Sequence, residues 1–74
     1  MLGHPLFSIN LDTNEVSHFN SQHEAGRELG ISDGNINEVI KGSRNQAGGF
    51  WFVNDDDKAT DAIKNKLHKI RKGD

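Results

Sequence analysis

The sequence predicts an α+β fold in which a small three-stranded antiparallel sheet carries a helix-turn-helix and a C-terminal amphipathic helix. Three observations lead to this class: two N-terminal runs alternate in side-chain direction, two serine-capped segments meet at a glycine, and the C-terminal segment repeats apolar residues at helical spacing. A chain of 74 residues is long enough for one domain. We therefore expect a single domain over residues 1–74, with the sheet and helix-turn-helix in 6–54 and a basic helix in 55–72.

The strands are predicted from alternation and β propensity. The runs LFSINL and VSHF, joined by the turn-rich DTNE, have the pattern of a hairpin. A hairpin alone is marginally stable, so a third strand is expected, and the aromatic run GGFWFVN is the best candidate. Because Phe50, Trp51 and Phe52 are consecutive, they cannot all face inward, and one of them can lie exposed. The three predicted strands lie near 6–11, 15–19 and 49–53.

Serine caps and glycines delimit two short helices between the second and third strands. Ser21 and Glu24 form the S-x-x-E pattern of a capping box, and Gly30 can adopt the left-handed conformation that ends a helix. Ser32 caps the second helix, and Gly42 ends it. The two predicted helices lie near 21–29 and 32–41.

The C-terminal segment predicts a third helix, near 56–71, with an acidic start and a basic end. The aspartates at 55–57 would lie where the helix dipole favours anions, and the basic residues from Lys69 onward where it favours cations. Apolar residues at intervals of four, four and three form one stripe along this helix, namely Ala59, Ile63, Leu67 and Ile70.

The composition limits the classes of function. There is no cysteine, which excludes disulfides, thiolate metal sites and cysteine nucleophiles. The four histidines lack ligand spacing, and no serine lies in a nucleophile-elbow context. We therefore expect no metal, no cofactor and no enzymatic activity. No apolar run approaches the roughly 20 residues of a membrane span, and the N-terminus lacks the features of a signal peptide, so we expect a cytoplasmic protein without a membrane partner.

Charge is distributed unevenly along the chain, although the net charge is only −2. Residues 1–57 hold three basic and nine acidic residues, a balance of −6, whereas residues 58–74 hold six basic and two acidic residues, a balance of +4. The basic surface is therefore expected at the C-terminus.

The two middle helices have the pattern of a helix-turn-helix, in which the second helix is presented to the major groove of DNA. Such a crossing needs a small residue on the first helix, which Gly26 supplies, and a glycine at the turn, which Gly30 supplies. Apolar anchors must also lie beneath the second helix. The candidates are Leu29, Ile31, Ile36, Val39 and Ile40. An ordinary helical hairpin is the alternative that this pattern leaves open.

Residues 7–53 resemble the nuclease-associated modular DNA-binding domains, also described as the intron-encoded nuclease repeat. Those modules follow a short hairpin with S-x-x-E-A-[AG]-x-x-L-G-I-S, then an isoleucine-anchored helix, then K-G and an A-G-G-aromatic strand. The matching residues cover about two thirds of the chain in the same order: Ser21, Glu24, Ala25, Gly26, Leu29, Gly30, Ile31, Ser32, Ile36, Lys41, Gly42, Ala47, Gly48, Gly49 and Phe50.

The resemblance implies an accessory module that binds double-stranded DNA in homing-type endonucleases and in related phage or mobile-element proteins. Catalysis in that setting belongs to a separate nuclease domain. The 74 residues contain neither the histidine-asparagine-histidine arrangement nor the G-I-Y and Y-I-G pair of such domains. We therefore expect a binding module without a nuclease domain of its own.

The residues expected to contact DNA lie on the second helix and just after it. Asn35 and Asn37 could pair with adenine, and Gly34 would let the helix backbone approach DNA closely. Lys41 and Arg44 would contact phosphates, as would the backbone amides around Gly48 and Gly49, and the C-terminal lysines could extend this path. The full set of predicted DNA-binding residues is Ser32, Gly34, Asn35, Asn37, Lys41, Arg44 and Gly48. With so few contacts, we expect weak binding that need not be sequence-specific.

Two acidic residues depart from the family pattern in the second helix. Asp33, next to the Ser32 cap, is explained by the helix dipole. Glu38 could accept a hydrogen bond from a cytosine amino group or form an ion pair with Lys41, and we favour the ion pair. The rival hypothesis is a protein-interaction domain that kept the fold but exchanged a basic reading face for an acidic one.

Overall fold

A computed structural model describes residues 4–72, with side chains described through Lys69. Its strands are β1 (Leu6–Asn10), β2 (Val16–Phe19) and β3 (Phe50–Asn54). Its helices are α1 (Gln22–Leu29), α2 (Asp33–Lys41) and α3 (Ala59–Lys72). The predicted α+β class, with three strands, a helix-turn-helix and a C-terminal helix, is confirmed. None of these helices is long and apolar enough to span a membrane.

The three strands form one antiparallel sheet in the order β2-β1-β3. β1 is central, so that Leu6 lies opposite Phe19 on one side and Asn54 on the other. The turn between β1 and β2 is stabilised by the side chain of Asn10, whose Oδ1 accepts from the amides of Asp12 and Thr13 over 2.8 and 3.2 Å. The hairpin places β2 beside the central strand, and the helix-turn-helix connects β2 to β3, which is the other neighbour of β1.

The hydrophobic core lies between the sheet and the helix-turn-helix. Leu6 and Phe52 face α1 and α2 from neighbouring strands, and Ala25, Ile36 and Val39 meet them from the helices. Ser8, on the same face as Leu6 and opposite Phe52, is also buried. Since side chains alternate along a strand, this face is made of the even-numbered residues of β1 and β3, and the odd-numbered residues face the other side.

Helix α3 packs against β3 on the opposite face of the sheet. Ile9 is buried on this face, and Trp51 is its partner across the β1–β3 ladder. The ammonium Nζ of Lys66 in α3 lies 5.6 Å from the centroid of the Trp51 ring. Because both faces of the sheet are covered, Phe50 and Trp51 are half-buried and Phe52 is buried. None of the three aromatic residues is left exposed, contrary to what the sequence allowed.

Helix α3 begins three residues later than the predicted start near residue 56. Residues 55–57 form a turn before the helix rather than its first turn. The side chain of Asp56 accepts from the amide of Lys58 over 2.9 Å, and Asp55 contacts His18 of β2 over 3.0 Å. The Asp56–Lys58 bond is local and competes with helix formation, and the contact with His18 holds Asp55 against β2. Of the predicted apolar stripe, Ala59 is buried and Ile63 and Leu67 are half-buried, whereas the side chain of Ile70 lies outside the described residues.

Candidate nucleic-acid interface

Helix α1 begins at a capping arrangement close to the predicted one. Ser21 is extended, and its Oγ accepts from the amide of Glu24 over 3.0 Å. The Glu24 carboxylate accepts from the amide of Asn20 over 3.2 Å, one residue earlier than the capping box predicts. Both bonds satisfy backbone donors beside the start of the helix, where no helical acceptor exists. The helix therefore starts where the sequence indicated, and its direction out of β2 is defined.

The close crossing of α1 and α2 depends on Gly26. A Cβ atom on Gly26 would lie 2.5 Å from the carbonyl oxygen of Ile31 and 2.9 Å from Oδ1 of Asp33, which is closer than any real side chain allows. Gly30 is left-handed, with φ of 72°, and its amide and that of Ile31 both donate to the Gly26 carbonyl over 2.8 and 3.0 Å. The chain thus turns tightly enough to set α2 across α1, and the predicted helix-turn-helix is confirmed.

Helix α2 turns one face to the core and the other to solvent. Ile36 and Val39 are buried, and Ile40 is half-buried against the same core. The residues on the side of the helix away from this core form what we call the α2 face, namely Gly34, Asn37, Glu38 and Lys41. A Cβ atom on Gly34 would meet no other atom within 4 Å. Asn35 and Asn37 are half-exposed, so polar side chains and bare backbone are available on this side.

Ser32 and Asp33 are both engaged at the start of α2. The Ser32 Oγ accepts from the amide of Asn35 over 3.3 Å, so this hydroxyl caps the helix. Oδ2 of Asp33 lies 3.4 Å from Nδ1 of His23 in α1. Asp33 therefore contributes to the helix-turn-helix itself, in addition to its favourable position at the positive end of the helix dipole. No local pattern in the sequence indicated a role for His23, because His23 and Asp33 meet only across the turn.

Glu38 pairs with Arg44 rather than with Lys41, the partner favoured from the sequence. The Arg44 Nε donates to Oε1 of Glu38 over 3.1 Å. Gly42, left-handed with φ of 90°, reverses the chain after α2. The amides of Ser43 and Arg44 then donate to the Glu38 carbonyl oxygen over 2.9 and 3.2 Å. This reversal, rather than helical spacing, brings the arginine back over the carboxylate.

Gly48 and Gly49 form a tight turn that packs on the helix-turn-helix. Their φ angles are 58° and 84°, and the flanking Ala47 and Phe50 exchange two backbone hydrogen bonds of 2.9 Å each. The sequence offered both amides as phosphate donors, but the Gly49 amide is occupied, since it donates to Oε1 of Gln46 over 2.9 Å. A Cβ atom on Gly48 would lie 3.1 Å from the Ile31 side chain. The Gly48 backbone is thus held beside the turn between α1 and α2.

The described lysines of α3 do not extend the α2 face, and the side chains of Arg71 and Lys72, which the sequence also suggested as phosphate contacts, lie outside the described residues. Phe52 points to α2 and its neighbour Trp51 contacts Lys66, so α2 and α3 lie on opposite sides of β3. Lys64 and Lys69 also belong to α3, and both are exposed. The sequence suggested one continuous row of phosphate contacts, but the sheet separates the described lysines of α3 from the basic residues near α2. Near the α2 face, the basic residues that the sequence predicted as phosphate contacts are Lys41 and Arg44.

Comparison with known proteins agrees with this geometry. The family model of the DNA endonuclease I-HmuI-like, NUMOD-like domain matches residues 8–53. A solved structure described as "DNA binding and cleavage by the HNH homing endonuclease I-HmuI" superposes with a TM-score of 0.67 and 29% sequence identity, over 70% of this chain. The chain spans 29% of the length of that protein. Among curated proteins, no sequence matches. Since the family model covers more than half of the residues, the chain belongs to the NUMOD-like domain family of I-HmuI-like DNA endonucleases.

Proposed function

We propose that the chain binds double-stranded DNA as an accessory recognition module and does not cleave it. The observation that carries this proposal is the crossing at Gly26, where absence of a side chain lets α2 lie across α1 with its α2 face in solvent. That is the arrangement in which the second helix of a helix-turn-helix enters the major groove. The similar protein is described as binding and cleaving DNA, and the aligned part of the family is its NUMOD-like domain.

In this function the predicted residues fall into two groups. Asn37, with Asn35 at its edge, would reach base edges, where an amide side chain can pair bidentately with adenine. Gly34 would permit close approach because nothing projects from the helix there. Lys41 and Arg44 would contact phosphates, which position the module without reading sequence. Ser32 and Gly48 contribute chiefly by holding the helix start and the neighbouring turn in place.

Both acidic residues of α2 have a side-chain partner, and Glu38, the one on the α2 face, is compatible with DNA because its partner is a cation. Asp33 faces His23, and Glu38 is held by Arg44. The pairing of Glu38 reduces the repulsion that an uncompensated carboxylate would exert on phosphates, and it weakens the case for an acidic docking face for proteins. The same pairing occupies Arg44, so we expect low affinity, with no strong preference among sequences. We place the activity in the cytoplasm, whose reducing conditions suit a chain without cysteine.

Titration with a random-sequence duplex tests the proposal. Fluorescence anisotropy should show binding that weakens with salt, with a slope near −0.9 per phosphate contact, or about −1.8 if only Lys41 and Arg44 contribute. NMR shift changes should cluster on residues 32–41 and 44–49. Changes confined to the β1–β2 hairpin, or affinity indifferent to salt, would contradict the proposal. Absence of any binding at physiological salt would favour the protein-interaction domain instead.

A further inference from the structure

A second basic surface lies across the sheet from α2. It is a shallow depression where the half-buried Trp51 of β3 meets one side of α3. Two lysines border it, and the ammonium of Lys66 lies 5.6 Å from the centroid of the Trp51 ring. The residues that line this depression, which we call the α3 site, are Trp51, Ala62, Asn65, Lys66 and Lys69.

The α3 site belongs to the most basic part of the chain. Residues 58–74 hold six basic and two acidic residues, against three basic and nine acidic residues in 1–57. Helix α3 also lies outside residues 8–53, the part that matches the family model. This positive charge is thus concentrated outside the part that matches the family model, and the described lysines of α3 make no contribution to the α2 face.

We propose that the α3 site binds the phosphate backbone of a second duplex DNA segment, so that one domain can bridge two segments. Lysine ammonium groups are compact cations suited to phosphates. Since Lys66 lies over the Trp51 ring, that ring is not open for a base to stack on. The depression has a volume of about 230 Å³, below the roughly 300–1,000 Å³ of small-molecule pockets. Backbone contact without base recognition fits these features.

The opposite placement of the two surfaces is the reason for a second segment. Phe52 and Trp51 are neighbours in β3, yet Phe52 packs toward α2 and Trp51 lies under α3. A straight duplex lying along the α2 face would have to pass through the sheet to reach Lys66 and Lys69. The inference rests on the proposed function only in taking the same class of ligand, and it requires separate residues.

Trp51 provides a local reporter, because it is the only tryptophan of the chain. Random-sequence duplex should change Trp51 fluorescence, because phosphates would bind the Lys66 ammonium next to the ring. The double variant Lys66→Gln/Lys69→Gln should abolish this change, and it should reduce the salt slope of total duplex binding, measured by anisotropy, by about 2. The matched control, Lys58→Gln/Lys64→Gln, removes the same charge from exposed positions that do not line the site. It should retain the fluorescence change.

A variant of the α2 side separates this inference from the proposed function. With Lys41→Gln/Arg44→Gln, the Trp51 response should persist while anisotropy reports weaker total binding. If wild-type anisotropy rises with no Trp51 response, the α3 site is wrong and the proposed function stands. If the Lys41→Gln/Arg44→Gln variant binds duplex as tightly as the wild type does, and Trp51 fluorescence reports all of that binding, the proposed function is wrong. Phosphate binding at the α3 site then stands. A Trp51 response to polyglutamate but not to duplex would identify an acidic protein ligand and overturn the inference.

Bridging is tested with two duplexes, one carrying a donor fluorophore and the other an acceptor. Energy transfer should appear with the wild type and with Lys58→Gln/Lys64→Gln. It should disappear with Lys66→Gln/Lys69→Gln and with Lys41→Gln/Arg44→Gln, because each variant removes one of the two surfaces. Energy transfer that survives in Lys66→Gln/Lys69→Gln, or that never appears although Trp51 responds, would overturn the proposal of a second segment.

Discussion

Arg44 folds back over the end of α2 and donates from its Nε to the Glu38 carboxylate over 3.1 Å. Both side chains are substantially exposed, at 44% and 50% of their surface. Exposed pairs of this kind contribute about 0–1 kcal/mol to stability, so the pair is more important for the charge it presents than for the fold. The pair joins Glu38, the acidic residue of the α2 face, to Arg44, which is a predicted phosphate contact.

We predict that Glu38→Gln raises the affinity for all duplexes. A glutamine oxygen can still accept from Arg44, so the geometry is kept, while a negative charge beside the phosphates is removed. The gain should be about 1 kcal/mol at low salt, or roughly fivefold in Kd, measured by fluorescence anisotropy on random duplex.

Glu28→Gln is the matched control for this change, because it alters the net charge equally at an exposed position of α1. It should have a smaller effect. In an Arg44→Gln background, the gain from Glu38→Gln should be larger, because the Glu38 carboxylate is then uncompensated and repels phosphates more strongly. If Glu38 instead reads a cytosine, Glu38→Gln would lower affinity for one preferred site by about 1–3 kcal/mol and leave random duplex nearly unchanged.

We predict opposite effects of alanine at two helical glycines on stability. Gly26→Ala places a methyl group 2.5 Å from the Ile31 carbonyl oxygen, so the helices must separate, at a cost of about 1–3 kcal/mol. Gly34→Ala meets open space and should gain up to about 1 kcal/mol from helix propensity. Urea unfolding of both variants measures the two changes. Equal effects at the two positions would show that the crossing does not depend on Gly26.

Gly34→Ala should also separate stability from recognition. If α2 enters the groove, the added methyl group at the exposed start of the helix would hold the backbone away from DNA. We expect a more stable protein with weaker duplex affinity, measured by unfolding and anisotropy on the same samples. Affinity that rises in step with stability would place the DNA away from Gly34.

We predict that the Ser32 hydroxyl stabilises α2 as its cap and that a negative charge at this position weakens DNA binding. Ser32→Ala removes the acceptor for the Asn35 amide and should cost about 1 kcal/mol of stability. Ser32→Asp restores a cap, so stability should recover, but it adds a negative charge beside the phosphate path and should weaken DNA binding. Unchanged affinity of Ser32→Asp in anisotropy would show that this end of α2 lies outside the interface.

Local patterns in the sequence were sufficient to predict the helices and strands, and also the family. Helix ends depend on residues within three or four positions, so Ser21, Gly30, Ser32 and Gly42 could be interpreted without a structure. Alternation and aromatic content located the strands to within about two residues. The order of glycines, caps and isoleucines identified the nuclease-associated module, which the match over residues 8–53 confirms.

The pairing of charged and aromatic side chains, by contrast, depends on tertiary contacts that local patterns do not reveal. Glu38 takes Arg44 because the chain reverses at Gly42, and helical spacing, which suggested Lys41, carries no information beyond the end of the helix. The division of basic residues between two faces follows from α3 crossing behind the sheet, where Trp51 gains a cover. Local sequence specifies bonds between near neighbours, whereas contacts between distant residues arise from packing the whole chain, and the candidate surfaces of this protein are made of such contacts.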